Sequence, residues 1–209
     1  MIRNILFDMG NVLIRFDPPA FLDRLGITDL ADRKALLEEL FGSTDWVALD
    51  RGALTEEEVI ARVCARVEPR LAGTVRALVT GWDKPYMPVE GMEELCEELR
   101  ERGYGLYLLT NAGPRHRQYW FDVPVSRLFP EGRIMRSADW LLLKPEAAFY
   151  EKALSLLGLR REECLFIDDS ALHAEAAGRC GIRNLVFRGS AARLRRELAA
   201  LGVGVKTNQ

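Results

Sequence analysis

The chain reads as an α/β protein, a Rossmann-like doubly wound parallel sheet with a small helical bundle inserted into it. Three observations predict this. After about Pro88, short apolar runs alternate with amphipathic segments, the order strand, helix, strand of a parallel sheet. Near the start, Ile5-Leu6-Phe7 is an equally apolar run, yet the next of comparable quality begins only at Leu106. The stretch between them holds several helical patterns and no convincing strand, so it interrupts the sheet.

In chain order, Ile5-Leu6-Phe7, Leu106-Tyr107-Leu108-Leu109, Cys164-Leu165-Phe166-Ile167 and Asn184-Leu185-Val186-Phe187 are expected as buried strands, with Ile134-Met135 a weaker one. Met92, Leu95, Cys96 and Leu99 recur at helical spacing before Gly103. Phe149, Tyr150, Ala153, Leu154 and Leu157 do so before Gly158, and Leu194, Leu198 and Leu201 before Gly202. Within the insertion the helical sets are Leu36, Leu37, Leu40 and Phe41, then Val59, Ile60, Val63, Cys64 and Val67, then Leu71, Val75, Leu78, Val79 and Trp82. Thr55-Glu56-Glu57-Glu58 is a capping-box signature that starts the middle helix. Pro18-Pro19 and Asp83-Lys84-Pro85 read as linkers at the two crossings. The expected division is a core of residues 1–13 and 86–209 and a bundle of residues 14–85, with no internal repeat.

At 209 residues the chain is long enough for one average domain plus such an insertion. A net charge of −2, with 29% charged residues of both signs interspersed, carries no electrostatic footprint for nucleic acid or an anionic membrane, and a small molecule is the expected partner. The N-terminal run reaches Asp8 too soon for a secretory apolar core, and no apolar run is long enough to span a bilayer. The cytosol is therefore the expected compartment. The four cysteines, Cys64, Cys96, Cys164 and Cys180, stand singly among apolar residues and read as reduced packing residues.

In a doubly wound sheet, ligands bind beyond the carboxyl ends of the strands. Four polar clusters fall at such positions: Asp8-Met9-Gly10-Asn11-Val12, Thr110-Asn111-Ala112, Lys144-Pro145 and Asp168-Asp169-Ser170. Each alone is explained by turn or capping chemistry. Together, and in this order, they supply what phosphoryl transfer to a carboxylate needs: a nucleophile, a phosphate donor, a cation and a metal ligand.

On these four motifs the chain resembles the haloacid dehalogenase superfamily, in the branch with a helical cap inserted after the first motif. Trp46 and Asp50-Arg51-Gly52-Ala53-Leu54-Thr55-Glu56-Glu57-Glu58 look like that branch's cap segment, and Met87-Pro88-Val89-Glu90-Gly91-Met92 resembles its return to the core. Asp-Met-Gly-Asn-Val is similar to the first motif of epoxide-hydrolase-like and sugar-phosphatase-like members. The resemblance implies a magnesium-dependent hydrolysis of a small phosphorylated metabolite, a sugar phosphate or similar monoester, through a phosphoryl-aspartate on Asp8. Asp8 and Asp169 are the expected carboxylate ligands of magnesium, which takes oxygen donors. The resemblance adds the Gly10 carbonyl, and Asp168 as a support that orients a metal-bound water or Lys144. It also implies that Thr110 donates its hydroxyl to phosphate with Asn111 close by, and that Lys144 offsets charge in the transition state.

The chain departs from the pattern at Gly10, where most phosphatases of the superfamily carry a second aspartate that protonates the leaving alcohol and activates water. Asn11, a water or a cap residue are the open substitutes. His173 stands where relatives have Asn or Asp, and is either a partner of the metal loop or a structural helix residue. His116, between Arg115 and Arg117, is expected at the solvated surface. Leu141-Leu142-Leu143 lacks a glycine that relatives often have before the lysine. Trp46, Asp50 and Arg51 are candidate substrate contacts from the cap, although packing explains Trp46 equally well. Two other readings compete: displacement of halide from carbon by the same aspartate, and a binding or scaffold member without turnover. Oligomeric state is open.

Overall fold

In the computed structural model, which describes residues 1–206, five parallel strands form one sheet in the order β3-β2-β1-β4-β5. They are β1 (Asn4–Phe7), β2 (Gly105–Thr110), β3 (Ile134–Arg136), β4 (Cys164–Asp168) and β5 (Arg183–Val186). The centre of the sheet is β1, with Phe7 opposite Leu108 of β2 on one side and Ile167 of β4 on the other. Strands buried on both faces need apolar residues at every position, which is why these read as unbroken apolar runs.

Alternation along β1 divides the core. Ile5 and Phe7 point to one face, with Leu106, Leu108, Leu165 and Ile167; Leu6 points to the other, with Leu109 and Phe166. The helices that cover these faces follow from the periodicities in the sequence.

The insertion comprises α1 (Pro18–Arg24), α2 (Leu30–Leu36), α3 (Thr44–Arg51), α4 (Glu56–Cys64) and α5 (Ala72–Gly81), with a π-type turn at Leu37–Phe41 after α2. The core then adds α6 (Met92–Glu101), a single turn α7 (His116–Tyr119), α8 (Ala147–Leu157), α9 (Ala171–Arg179) and α10 (Ala191–Ala200). Met92, Leu95, Cys96 and Leu99 of α6 join the Ile5 face together with Leu194 and Leu198 of α10, while Phe149, Tyr150 and Ala153 of α8 join the Leu6 face. The insertion has its own apolar cluster, including Phe21, Leu36, Leu40, Val59, Val63, Val75 and Leu78.

The two crossings lie side by side: Arg15 N–H donates to Met87 O at 2.7 Å and Val89 N–H to Leu13 O at 3.0 Å. Pro18-Pro19 is not a linker. Both prolines sit in the first turn of α1, where no intrahelical partner exists for a backbone N–H, and Asp17 caps that turn by accepting from Ala20 N–H at 3.2 Å. At α4 the capping box is complete: Glu58 N–H donates to the Thr55 hydroxyl at 3.2 Å, and Thr55 N–H donates to the Glu58 carboxylate at 2.8 Å. All four cysteines are free, and Cys96, Cys164 and Cys180 are buried. No described helix is long and apolar enough to cross a membrane.

Candidate active site

The sheet brings the four sequence clusters to one pole. Asp8 follows β1 directly and its N–H donates to Ile167 O at 2.9 Å, so the ladder with β4 carries on to the residue that bears the carboxylate. The chain then turns tightly: Leu13 and Ile14 N–H groups both donate to Met9 O. Asn11 takes φ 54°, a conformation that asparagine tolerates better than other side-chain-bearing residues. Its amide Nδ2 donates to Asp169 at 3.2 Å and its Oδ1 accepts from Phe16 N–H at 3.0 Å, so it ties the first motif to the last.

Lys144 is the hub. Its ammonium lies 2.8 Å from Asp8 Oδ1 and 2.7 Å from Asp168 Oδ2, and all three side chains are almost wholly buried. Asn111 holds the lysine backbone from both sides, accepting from Lys144 N–H at 2.9 Å and donating to Lys144 O at 3.0 Å. The other oxygen of Asp168 accepts from Ser170 N–H at 2.9 Å and lies 3.2 Å from His173 Nδ1. Burial would raise the Asp168 carboxyl, but Lys144 and His173 outweigh it and hold the group down to about 2. Burial wins at Asp8, which is pushed up to about 7 despite Lys144, with Asp168 and Asp169 adding to the rise.

Carboxylate oxygens of Asp8, Asp168 and Asp169 lie within 4.8 Å of one another. With all three ionised, three carboxylates against one ammonium leave two negative charges, the charge of one divalent cation. The donors are hard oxygens, as magnesium requires, and the residues therefore fit that ion. Asp169 is exposed to the cavity, and Asp168 is already occupied by Lys144, Ser170 and His173, so Asp8 and Asp169 are the better direct donors.

Above this pole lies a cavity of about 200 Å³, lined by Asp8, Gly10, Thr110, Lys144 and Asp169 on the core side and by Trp46, Asp50 and Glu56 from the insertion. Its wall is aromatic. Phe16 meets Trp82 at 5.1 Å and Trp46 at 5.8 Å between ring centres, and Trp82 meets Tyr119 at 5.4 Å. Trp46 thus both packs in the insertion and faces the cavity.

The family model for haloacid dehalogenase-like hydrolases matches residues 2–181. The chain belongs to that family. Among similar proteins, the chloroplastic flavin mononucleotide hydrolase 1 of Arabidopsis thaliana is 25% identical to this chain over 96% of this chain and 78% of the plant protein. The fold is shared with a HAD family enzyme of Bacteroides thetaiotaomicron, solved as a variant with magnesium and inorganic phosphate, at 21% identity and a TM-score of 0.71 over 93% of this chain and 98% of the other. It is likewise shared with a dehalogenase solved with an intermediate, at 18% identity and a TM-score of 0.70 over 90% of this chain and 85% of the other.

For this haloacid dehalogenase-like hydrolase several sequence expectations change. Arg51 is not among the residues that line the cavity: it pairs with Glu146 and donates to Leu141 O at 3.0 Å, so it latches α3 to the segment that carries Lys144. Asn111 lines the cavity, and it also holds the Lys144 backbone with its oxygen and one of its two amide N–H groups. His116 is buried, not solvated. Its Nδ1 accepts from Arg136 Nε at 2.8 Å, its ring stacks on Trp120 at 5.3 Å, and its Nε2 has no hydrogen-bond partner among the described residues. Arg136, itself buried and paired with Glu131 and Asp139, escaped the sequence reading because it ends a strand too short to show a period. Ser137, which receives Ala112 N–H at 2.8 Å and donates to Asp50 O, escaped it because no spacing marks a hydroxyl that joins two loops. His173, in the first turn of α9, meets Asp168 at the end of β4.

Proposed function

We propose that the protein is a magnesium-dependent phosphomonoesterase that acts on a small phosphorylated metabolite through a phosphoryl-aspartate on Asp8. The observation that carries this reading is the Lys144 ammonium shared by Asp8 and Asp168, with Asp169 completing a trio of oxygen donors in the cavity between core and insertion. Magnesium held by Asp8, Asp169 and the Gly10 carbonyl would supply positive charge to the phosphoryl oxygens.

In this reading the Asp8 oxygen not held by Lys144 attacks phosphorus, and the bond to the leaving oxygen breaks in line with it. Water then cleaves the acyl phosphate and releases inorganic phosphate. Lys144 fixes the rotamer of Asp8 and offsets negative charge as phosphorus is approached. Thr110, buried at the end of β2, donates its hydroxyl to a phosphoryl oxygen, while Asn111 holds the lysine segment in place. The insertion, residues 14–85, serves as the cap that shields the site from bulk water. Halide displacement from carbon has no use for the clustered Asp168 and Asp169, and a scaffold has no use for a buried lysine between two carboxylates.

The lining bears on the leaving group. Of its two cations, Lys144 is bound to Asp8 and Asp168, and Arg115 lies 3.1 Å from Asp83 and 3.9 Å from Glu56, so neither is free for a second anionic group. The aromatic wall favours a neutral, flat or apolar leaving group over the sugar phosphate expected from the sequence. The plant relative named for flavin mononucleotide, a phosphate monoester of a polyol chain that carries a flat aromatic ring system, supports this. The cytosol remains the expected compartment.

Phosphate release from an aryl phosphate, with and without magnesium, tests the reading. It expects metal-dependent release by the wild type and none by Asp8→Asn. Release that persists undiminished in the variant would refute it.

A further inference from the structure

A phosphomonoesterase must protonate the departing oxygen and then deprotonate the attacking water, and Gly10 can do neither. Resting on the function proposed above, the geometry points to Asp50, in the last turn of α3, as the catalytic acid and base that replaces the absent aspartate. In the first half-reaction Asp8 forms its bond to phosphorus, the bond from phosphorus to the leaving oxygen breaks, and the Asp50 proton passes to that oxygen. In the second, a water oxygen bonds to phosphorus as the bond to Asp8 breaks. The water's proton returns to Asp50, so phosphate leaves and both carboxyls are restored.

Four observations support the assignment. Asp50 lines the same cavity as Asp8, contributed by the insertion rather than the core. Like Asp169, and unlike Asp8, which is held by Lys144, and Glu56, which lies near Arg115, it has no cationic partner among the described residues. The tip of α3 is pinned to the core. Ser137 donates to Asp50 O, Arg51 holds Glu146, and Gly52, at φ 80°, packs so closely that a Cβ would meet Ala138 O at 2.6 Å. Gly113, just past the Thr110-Asn111-Ala112 cluster, makes a matching close approach from the core side: its Cβ would meet Leu49 O at 3.2 Å. A carboxyl held this way loses little freedom when substrate binds.

The surroundings also set its protonation. Burial pushes Asp50 up to about 8; the Gly113 amide and the Trp46 indole approach the carboxyl and oppose the rise, and Asp8 adds to it. Of the other groups around the cavity, Glu56 and Asp169 are anionic neighbours, and Lys144 and Arg115 are cations already paired. His116, with a guanidinium at Nδ1, is neutral, as is Tyr119, and His173 is turned to Asp168. Asp50 thus carries its proton at neutral pH, as an acid in the first step must.

A positioned acid matters most when the leaving oxygen is basic. For Asp50→Asn, kcat/KM should fall about 10²-fold to 10⁴-fold on alkyl phosphates and less than about tenfold on nitrophenyl phosphate, which leaves unaided. The wild type should lose kcat/KM on alkyl phosphates above about pH 8, and the variant should lack that limb. Without any variant, the wild-type rate should depend only weakly on leaving-group acidity across a series of monoesters. Equal losses on both substrates with an unchanged pH profile, or a steep wild-type dependence on leaving-group acidity, would overturn the assignment and leave the phosphomonoesterase standing. Silence of the wild type towards every monoester would overturn both.

Discussion

His116 and Asp50 show how burial acts on single residues with opposite sign. The His116 imidazole is buried, faces the Arg136 guanidinium, and is pushed down to about 3 from an ordinary 6.5. The unfolded chain therefore binds its proton first as pH falls. Stability due to this group is complete above about pH 6.5 and drains away between 6.5 and 3, by about 1.4 kcal/mol per pH unit. Denaturant titrations across that range should show the slope in the wild type and a flatter one in His116→Phe. Asp50 is the mirror case: its native carboxyl keeps a proton from the ordinary 3.8 up to about 8, so its contribution falls as pH rises through that window. Asp50→Asn should remove that slope, and stability at pH 8 should not drop below that of the wild type. Asp8, Thr110, Asp168 and Asp169 were legible because strand-end position and residue type both mark them, and Lys144 because a Lys-Pro pair precedes a helix in chain order between them. The contacts of His116, Arg51 and Asn111 were not, because they are made with partners far away in sequence: Arg136, Glu146 and Lys144.

Among the elements, α3 carries most of the contact between insertion and core that bears on the site. It is capped by Ser43, which accepts from Trp46 N–H at 3.2 Å, and it ends at Gly52 in the left-handed region. A side chain at Gly52 is strained in φ and also strikes Ala138, at a cost of about 1–3 kcal/mol for the backbone alone. Gly52→Ala should therefore lower the unfolding midpoint and reduce turnover together, while Gly26→Ala, equally left-handed but with open space around it, should cost stability and spare turnover. Thermal melts alongside phosphate release separate the two. The strands and long helices could be read from apolar periodicity, including the weak β3. The helices α1, α3, α7 and α9 could not. The Pro-Pro pair that opens α1 looks like a linker until its Asp17 cap is seen, and the eight residues of α3 divide their apolar contacts between a bundle and a cavity.

Across the whole molecule, the sheet order puts β1 between β2 and β4, so Asp8, Thr110 and Asp168 emerge side by side, and Lys144 reaches them from the segment before α8. Excess negative charge at that pole costs stability until a cation arrives. Magnesium at a hundred times its dissociation constant should stabilise the wild type by about 2.7 kcal/mol, and Asp169→Asn should lose most of that gain. The central claim is that Asp8 becomes covalently phosphorylated. It is tested most directly by acid-quenching the enzyme during turnover of an aryl phosphate with magnesium, digesting it, and weighing the peptide that bears Asp8. The account expects one phosphoryl group on that peptide, absent without substrate and absent in Asp8→Asn. Steady release of phosphate with no phosphoryl group on that peptide, or with one carried elsewhere in the chain, would contradict it.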